Sequence, residues 1–258
     1  MTDVRRLPIL MYHAVAPISG PLHRFGVPPE LLREHLGALR AAGYRLTGLT
    51  EALALTRAGI PAVALTFDDA YADFLDAVPI LTDHGATATL YVPAGHVGTR
   101  AGWVGDEFAP ILGWPALRDV AAAGIEIGSH GLVHEPLDVI GRAEAVHGIT
   151  TAKHRIEVAL GVPARTFAYP HGYQTPAVRR AVAAAGHDSA CVIGRRTVRP
   201  DDDRFALPRL QPTPDHTGAG LLRMIHAGTP PTVRLKQLAQ PAWRLYRRVA
   251  RTAGATVT

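Results

Sequence analysis

The run Ala62-Val63-Ala64-Leu65-Thr66-Phe67-Asp68-Asp69 decides the fold. Six apolar or β-branched residues in succession, stopped by two carboxylates, read as a strand buried on both faces. Residues 71–84 then carry apolar positions at helical spacing and stop at Gly85, and residues 86–92 return to a strand pattern. A strand, a helix and a second strand in about 30 residues make a parallel unit, because antiparallel neighbours need only a tight turn.

The same alternation extends in both directions. Strand-like runs lie at 8–12, 44–47, 62–67, 86–92, 124–128, 166–169, 189–193 and 205–208, with helical patterns at 29–42, 49–58, 71–84, 114–123 and 141–160. Gly43, Gly59, Gly85, Gly124, Gly161 and Gly186 fall where a helix would need a left-handed cap. The pattern predicts an α/β fold, a distorted TIM-like (β/α) barrel of 7–8 strands over residues 1–215, followed by a basic helical tail over 216–258. In such barrels the reactive side chains stand at the carboxyl ends of the strands. Here those ends carry His13, Asp68-Asp69, Ser129-His130 and Pro170-His171, so residues far apart in sequence are expected on one face.

Composition narrows the class. The chain has 258 residues, 47% hydrophobic and 19% charged, a profile of folded rather than disordered protein. Its one cysteine, Cys191, excludes an intramolecular disulfide and a sulfur-rich zinc site, and in an apolar run it reads as a small buried hydrophobe. The formal charge of +5 belongs to the end of the chain: seven Arg or Lys and no acidic residue follow Asp215, and without those seven, 20 basic residues face 22 acidic ones. The first residues, Met1-Thr2-Asp3-Val4-Arg5-Arg6, lack the apolar segment of a secretory signal, and no apolar run nears the roughly 18 residues of a membrane span. The expectation is a cytoplasmic protein, at most peripheral at the inner membrane face.

Two short motifs carry the chemistry. Asp68-Asp69 at a strand end is either a helix cap or a pair dividing two jobs, one carboxylate binding a metal and the other taking a proton. Ser129-His130-Gly131-Leu132-Val133-His134 supplies two imidazoles four residues apart, the only pair at that spacing among 13 histidines. Two neutral histidines and a carboxylate leave positions open on a divalent ion for water and substrate. The combination is far more specific than either motif.

Thr66-Phe67-Asp68-Asp69, Ser129 to His134, and Phe167-Ala168-Tyr169-Pro170-His171-Gly172 resemble the ordered motifs of the polysaccharide deacetylases, carbohydrate esterase family 4, with the likeness running over residues 7–211. The resemblance implies removal of N-acetyl groups from sugars by a bound metal, commonly zinc, with cobalt, nickel or manganese as substitutes. It makes Asp69, His130 and His134 the ligands and Asp68 the general base. Two family residues are missing: Ala168 stands where an orienting Arg is usual, and Leu207-Pro208-Arg209-Leu210-Gln211 lacks the late histidine of the general acid. Leu10-Met11-Tyr12-His13 instead resembles the opening of a subgroup with permuted motif order, which includes poly-N-acetylglucosamine deacetylases, and this makes His13 the acid. A packed or surface histidine is the plainer reading of His13. Arg209 is the candidate replacement for the missing arginine, against the plain reading of a surface residue. Tyr169, Pro170 and His171 form the candidate oxyanion segment, with the contact from the backbone N–H of His171, so that a histidine where tyrosine is usual does not abolish it.

The implied reaction is hydrolysis of an N-acetyl amide on an N-acetylglucosamine-type saccharide or glycoconjugate. A divalent ion polarises the carbonyl and lowers the pKa of water from near 16 to about 7, and His13 protonates the departing amine. Trp103, Trp114 and Tyr91 lie where they can border a sugar cleft, although packing is the simpler account of each. In the tail, Leu235, Leu238, Trp243, Leu245, Tyr246 and Val249 interleave with cations, as in a helix lying on anionic lipid or one that closes the barrel; nucleic acid is not an expected partner. The rival readings are a carbohydrate-binding protein with a degraded site on the same fold, a glycosidase and a non-haem iron oxygenase.

Overall fold

The structure, a computed structural model, describes residues 6–106, 108–227 and Trp243. Eight strands form: β1 (Ile9–Tyr12), β2 (Arg45–Thr47), β3 (Ala62–Phe67), β4 (Thr89–Val92), β5 (Glu126–Ser129), β6 (Thr166–Ala168), β7 (Ser189–Ile193) and β8 (Leu207–Arg209). Every pairing among them is parallel, in the order β1-β3-β4-β5-β6-β7-β8. Leu210 closes the ring: its N–H donates to Ile9 O at 2.8 Å and its carbonyl accepts from Met11 N–H at 2.8 Å.

The distortion of the barrel lies at β3. Ala64 pairs with Ile9 on one edge and Thr47 on the other, while Phe67 pairs with Tyr12 and Leu90. One edge of β3 is therefore divided between β2 below and β4 above, and β2 is a branch rather than a stave. The strand that decides the fold is buried at all six positions, as its unbroken apolar run requires.

Helices cover the outside: α1 (Pro29–Ala41), α2 (Leu49–Arg57), α3 (Phe74–Asp83), α4 (Trp114–Ala122), α5 (Arg142–Leu160), α6 (Pro176–Ala184) and α7 (Gly218–His226). The Gly186 cap and the expected helical tail implied the last two, although the sequence pattern did not bound either; both carry a threonine N-cap, Thr175 and Thr217, whose hydroxyl accepts a backbone N–H. Helix α7 packs against α1 in the outer layer, and Glu34 accepts the Gly218 N–H at 2.7 Å. All six glycines expected to cap helices have φ between 56° and 86°. Helix α3 starts later than its apolar pattern, because Asp69 and Ala70 take left-handed φ of 71° and 54° and Tyr71 bridges to Ile111. That kink turns the chain across the barrel mouth before the helix begins.

A polar hub pins the opposite end. Glu126 accepts from Thr50 N–H (3.0 Å), Thr50 Oγ1 (2.7 Å), Thr89 Oγ1 (2.8 Å) and Thr166 Oγ1 (3.0 Å), joining α2, β4, β5 and β6. Two residues further along β5, a Cβ at Gly128 would stand 2.4 Å from the Tyr91 ring. Gly128→Ala therefore overpacks the barrel interior and is expected to lower the unfolding free energy by roughly 1–3 kcal/mol, read as a lower urea midpoint at unchanged slope.

Candidate metal centre

The carboxyl ends of β1, β3, β5, β6 and β8 converge on a cleft of about 310 Å³. His13, Asp68, Asp69, His130, His134, Tyr169, His171 and Arg209 all line it, so the structure brings together the residues that the sequence scattered. Leu22, Arg24 and Phe25, from a short 3-10 segment, and Tyr71, Trp103 and Tyr173 also stand in the wall. Of the three aromatics named as candidate borders, Trp103 lines the cleft. Tyr91 lies within β4 beneath the Arg209 guanidinium, 5.6 Å from it, and Trp114 starts α4 and packs on the core.

Asp69, His130 and His134 form a compact group whose ligand atoms all lie within 4.8 Å of one another. Asp69 Oδ1 is 3.5 Å from His130 Nε2 and 3.4 Å from His134 Nε2. These separations exceed good hydrogen bonds, yet two ligands each about 2.1 Å from one tetrahedral ion stand roughly 3.4 Å apart. The tautomer of His130 decides what the gap means. Its Nδ1 lies 2.8 Å from the Ala168 carbonyl, which only accepts, so Nδ1 carries the hydrogen, and the neutral tautomer, the one that can ligate, presents an Nε2 lone pair to Asp69. Asp69 Oδ1 is itself buried with no hydrogen-bond partner among the described residues. In that tautomer two acceptors face each other in a dry site, an arrangement that a cation between them relieves, so the donor set fits a divalent ion. Burial, with four nearby imidazoles, holds the His134 pKa well below the ordinary histidine value, so the ring stays neutral and able to ligate.

Asp68 faces the other way. Arg209 grips it with two charge-assisted hydrogen bonds, Nη1 to Oδ1 at 2.6 Å and Nη2 to Oδ2 at 2.7 Å, and both residues are buried. Arg209 is thus a barrel-interior residue and not a surface one. Its grip on Asp68 is the contact expected of an orienting arginine, made from the last strand rather than from position 168. Burial by itself would raise the Asp68 carboxyl, but the guanidinium, with His130 and His13 nearby, holds it down at about 2.

His13 follows β1 and points into the cleft with its edge on Phe25, ring centroids 4.8 Å apart. Burial lowers its pKa below the ordinary histidine value, and the Asp68 and Asp69 carboxylates oppose that shift. The segment after β6 is more restricted than its sequence suggests. Tyr169 spends its N–H on Cys191 O (3.2 Å) and its hydroxyl on Phe205 O (3.0 Å), and Pro170 has no N–H to give. His171 is left-handed at φ 57°, and its ring lies 4.4 Å from that of His134.

Sequence reading missed the part played by residues 93–113, a connection far longer than the roughly 2–6 residues usual in α/β units; that length was the available signal. The loop ties the two motif segments together: Ala94 and Gly95 N–H donate to Gly131 O and Leu132 O, and Leu112 N–H donates to Ala70 O. Of the expected basic tail, residues 216–227 are described and include α7; the rest lies outside the described residues except for Trp243, whose indole N–H donates to the Tyr173 hydroxyl at 3.0 Å on the cleft rim. No described helix is long and apolar enough to cross a membrane.

A parallel barrel with a carboxylate–imidazole pocket at its carboxyl end can serve several chemistries, and comparison with known proteins identifies the family. The sequence profile of the polysaccharide deacetylases matches residues 56–190, and the chain belongs to that family, whose members are hydrolases of carbon–nitrogen bonds other than peptide bonds and generally use a divalent metal. A Streptococcus pyogenes deacetylase, PplD, in complex with acetate is similar in fold at 23% identity and TM-score 0.75, covering 86% of this chain and 99% of that one. IcaB from Ammonifex degensii is similar at 24% identity and TM-score 0.74, over 86% and 98% of the two chains. A de-N-acetylase from Aggregatibacter actinomycetemcomitans gives 18% identity and TM-score 0.71, over 85% and 100%. Among curated proteins, none matches the sequence.

The buried ion pair sets a stability prediction. Arg209→Met leaves Asp68 buried without its counter-charge and is expected to cost about 3–5 kcal/mol in denaturant unfolding, much of it recovered in the double variant Asp68→Asn, Arg209→Met. Because the folded Asp68 pKa lies below its unfolded value, the pair's contribution is fully present above about pH 4 and is lost as the pH falls through about 2. In Asp68→Asn that acid-dependent loss should shrink.

Proposed function

We propose that the protein removes the acetyl group from an N-acetylglucosamine-type saccharide or glycoconjugate, with one divalent ion, zinc foremost, held by Asp69, His130 and His134. The observation that carries the reading is the buried face-off of Asp69 Oδ1 and the His130 and His134 Nε2 atoms, next to a carboxylate already clamped by Arg209. The ion, when bound, supplies polarisation of the amide carbonyl and a lowered pKa for water, from near 16 to about 7.

The remaining chemistry belongs to the chain. Asp68 takes the proton of the attacking water; Arg209 fixes its two oxygens and keeps it unprotonated when the substrate arrives. The His171 backbone N–H steadies the developing oxyanion. His13 gives a proton to the amine nitrogen as the carbon–nitrogen bond breaks, because an unprotonated sugar amide anion is too basic to leave. The net charge of Asp68, Asp69 and Arg209 is −1, so a dication brings the centre to +1, suited to a transition state that gains negative charge.

The glycosidase reading loses ground on geometry: among the described residues, the only carboxylates lining the cleft are Asp68 and Asp69, which are chain neighbours and not a pair set across a sugar. The intact base–arginine pair likewise favours a working site over a degraded one.

Acetate release from N-acetylglucosamine oligomers and from lipid- or nucleotide-linked N-acetyl sugars, with and without chelator, tests the reading. Chelator-sensitive acetate is expected; cleavage between sugars, or binding without product, contradicts it. Asp68→Asn and His13→Ala are each expected to lower kcat by about 10²–10⁴-fold while still binding one equivalent of metal, whereas His134→Ala loses the metal. The pH profile of the wild type should be bell-shaped, and the residual turnover of His13→Ala should lack the alkaline limb.

A further inference from the structure

The two imidazoles of the triad are held by different means. His130 donates Nδ1–H to the Ala168 carbonyl, the arrangement by which a ligating histidine almost always has its ring angle fixed. His134 Nδ1 is buried and has no hydrogen-bond partner among the described residues. Its ring instead lies flat on the Trp103 indole, with centroids 4.3 Å apart and planes 19° apart. His171 meets the same ring at 4.4 Å and 60°, and His96 meets the indole edgewise at 4.9 Å and 77°.

The loop that carries Trp103 is built to hold this stack. Its start is tied to the histidine motif by Ala94 N–H to Gly131 O (2.9 Å) and Gly95 N–H to Leu132 O (2.7 Å). Its end is tied to the aspartate segment by Leu112 N–H to Ala70 O (2.9 Å) and by Ala72 N–H to Pro110 O (2.8 Å). At Gly95 the approach is so close that a Cβ would stand 2.4 Å from the Leu132 carbonyl oxygen. Both ends of the loop that presents the indole are thus tied to the ligand-bearing segments.

We propose that Trp103 is a positioning residue for the metal centre: its indole face, in place of a hydrogen bond, fixes the rotation of the His134 ring so that Nε2 faces Asp69. The inference rests on the triad being the metal site. An imidazole that has given its lone pair to a dication is electron-poor, and the face of an indole attracts electron-poor partners more strongly than other aromatic faces do. The stack therefore favours the loaded state over the empty one, and removing it weakens metal binding without removing a ligand.

Cobalt(II) titration followed by its visible d–d absorption, with zinc competition for affinity, tests this on the full-length protein. Trp103→Leu keeps apolar bulk and loses the aromatic face; Trp103→Phe keeps the face; His134→Ala is the ligand control. The expected result is an affinity about 10–100-fold weaker and an altered cobalt spectrum for Trp103→Leu, near-native behaviour for Trp103→Phe, and matched melting temperatures for the two metal-free variants. Should the leucine protein not fold, Trp103→Met, whose flexible side chain fills irregular space, takes its place. Native affinity and spectrum in the leucine or methionine variant, with binding lost in His134→Ala, overturn the role of Trp103 alone. Equal binding by the wild type and His134→Ala overturns the triad and this inference with it.

Discussion

Two neighbouring carboxylates cannot both be buried at a strand end unless each is given a positive charge, and the barrel mouth is organised around that requirement. Asp68 receives the guanidinium of Arg209, brought from the last strand to the third across the first. Asp69 is turned away by its left-handed backbone and meets two imidazole nitrogens set at the spacing of ligands. Residues in such backbone conformations cost about 1–3 kcal/mol each and persist where the surroundings over-determine them. Here the surroundings are the long 93–113 loop and the histidine segment it grips.

The proposed division of labour between the carboxylates follows from their partners. A carboxylate locked to arginine has its pKa lowered and its oxygens aimed, which suits a group that must be unprotonated and placed before a water is activated. It is also a weak base, so its usefulness depends on a cation that acidifies the water first. The neighbouring carboxylate, without a hydrogen-bond partner at one oxygen, suits the cation. Separating the two tasks between adjacent residues makes the strand end a site as a unit, and the barrel supplies the remaining groups from β1, β5 and β6.

Much of this was legible in the sequence, for physical reasons that also mark where legibility ends. Parallel strands buried on both faces leave unbroken apolar runs, so all eight strands could be read, and left-handed caps leave glycines, so the helix ends could be read as well. The strand-end rule then placed His13, Asp68, Asp69, His130 and His171 on one face. Arg209 was reachable only as a candidate from its position at a strand end, because its partner is set by barrel closure between residues 141 positions apart. Trp103 was reachable only as one of three aromatics that could border the cleft, and its stack on His134 was not: whether an indole packs in the core or on a ligand depends on the path of a loop whose anchors are backbone hydrogen bonds to distant segments. The start of α3 was misplaced for the same reason, since the kink at Asp69 and Ala70 belongs to the site and not to local helix propensity.

The central claim is that one divalent ion sits between Asp69, His130 and His134. X-ray absorption at the zinc edge of the reconstituted protein tests it most directly. The account predicts two imidazole nitrogens at about 2.0–2.1 Å, oxygen in the remaining positions and no sulfur, with the imidazole signal lost in the variant His130→Ala, His134→Ala. A sulfur ligand, or a zinc environment unchanged in that variant, would contradict it.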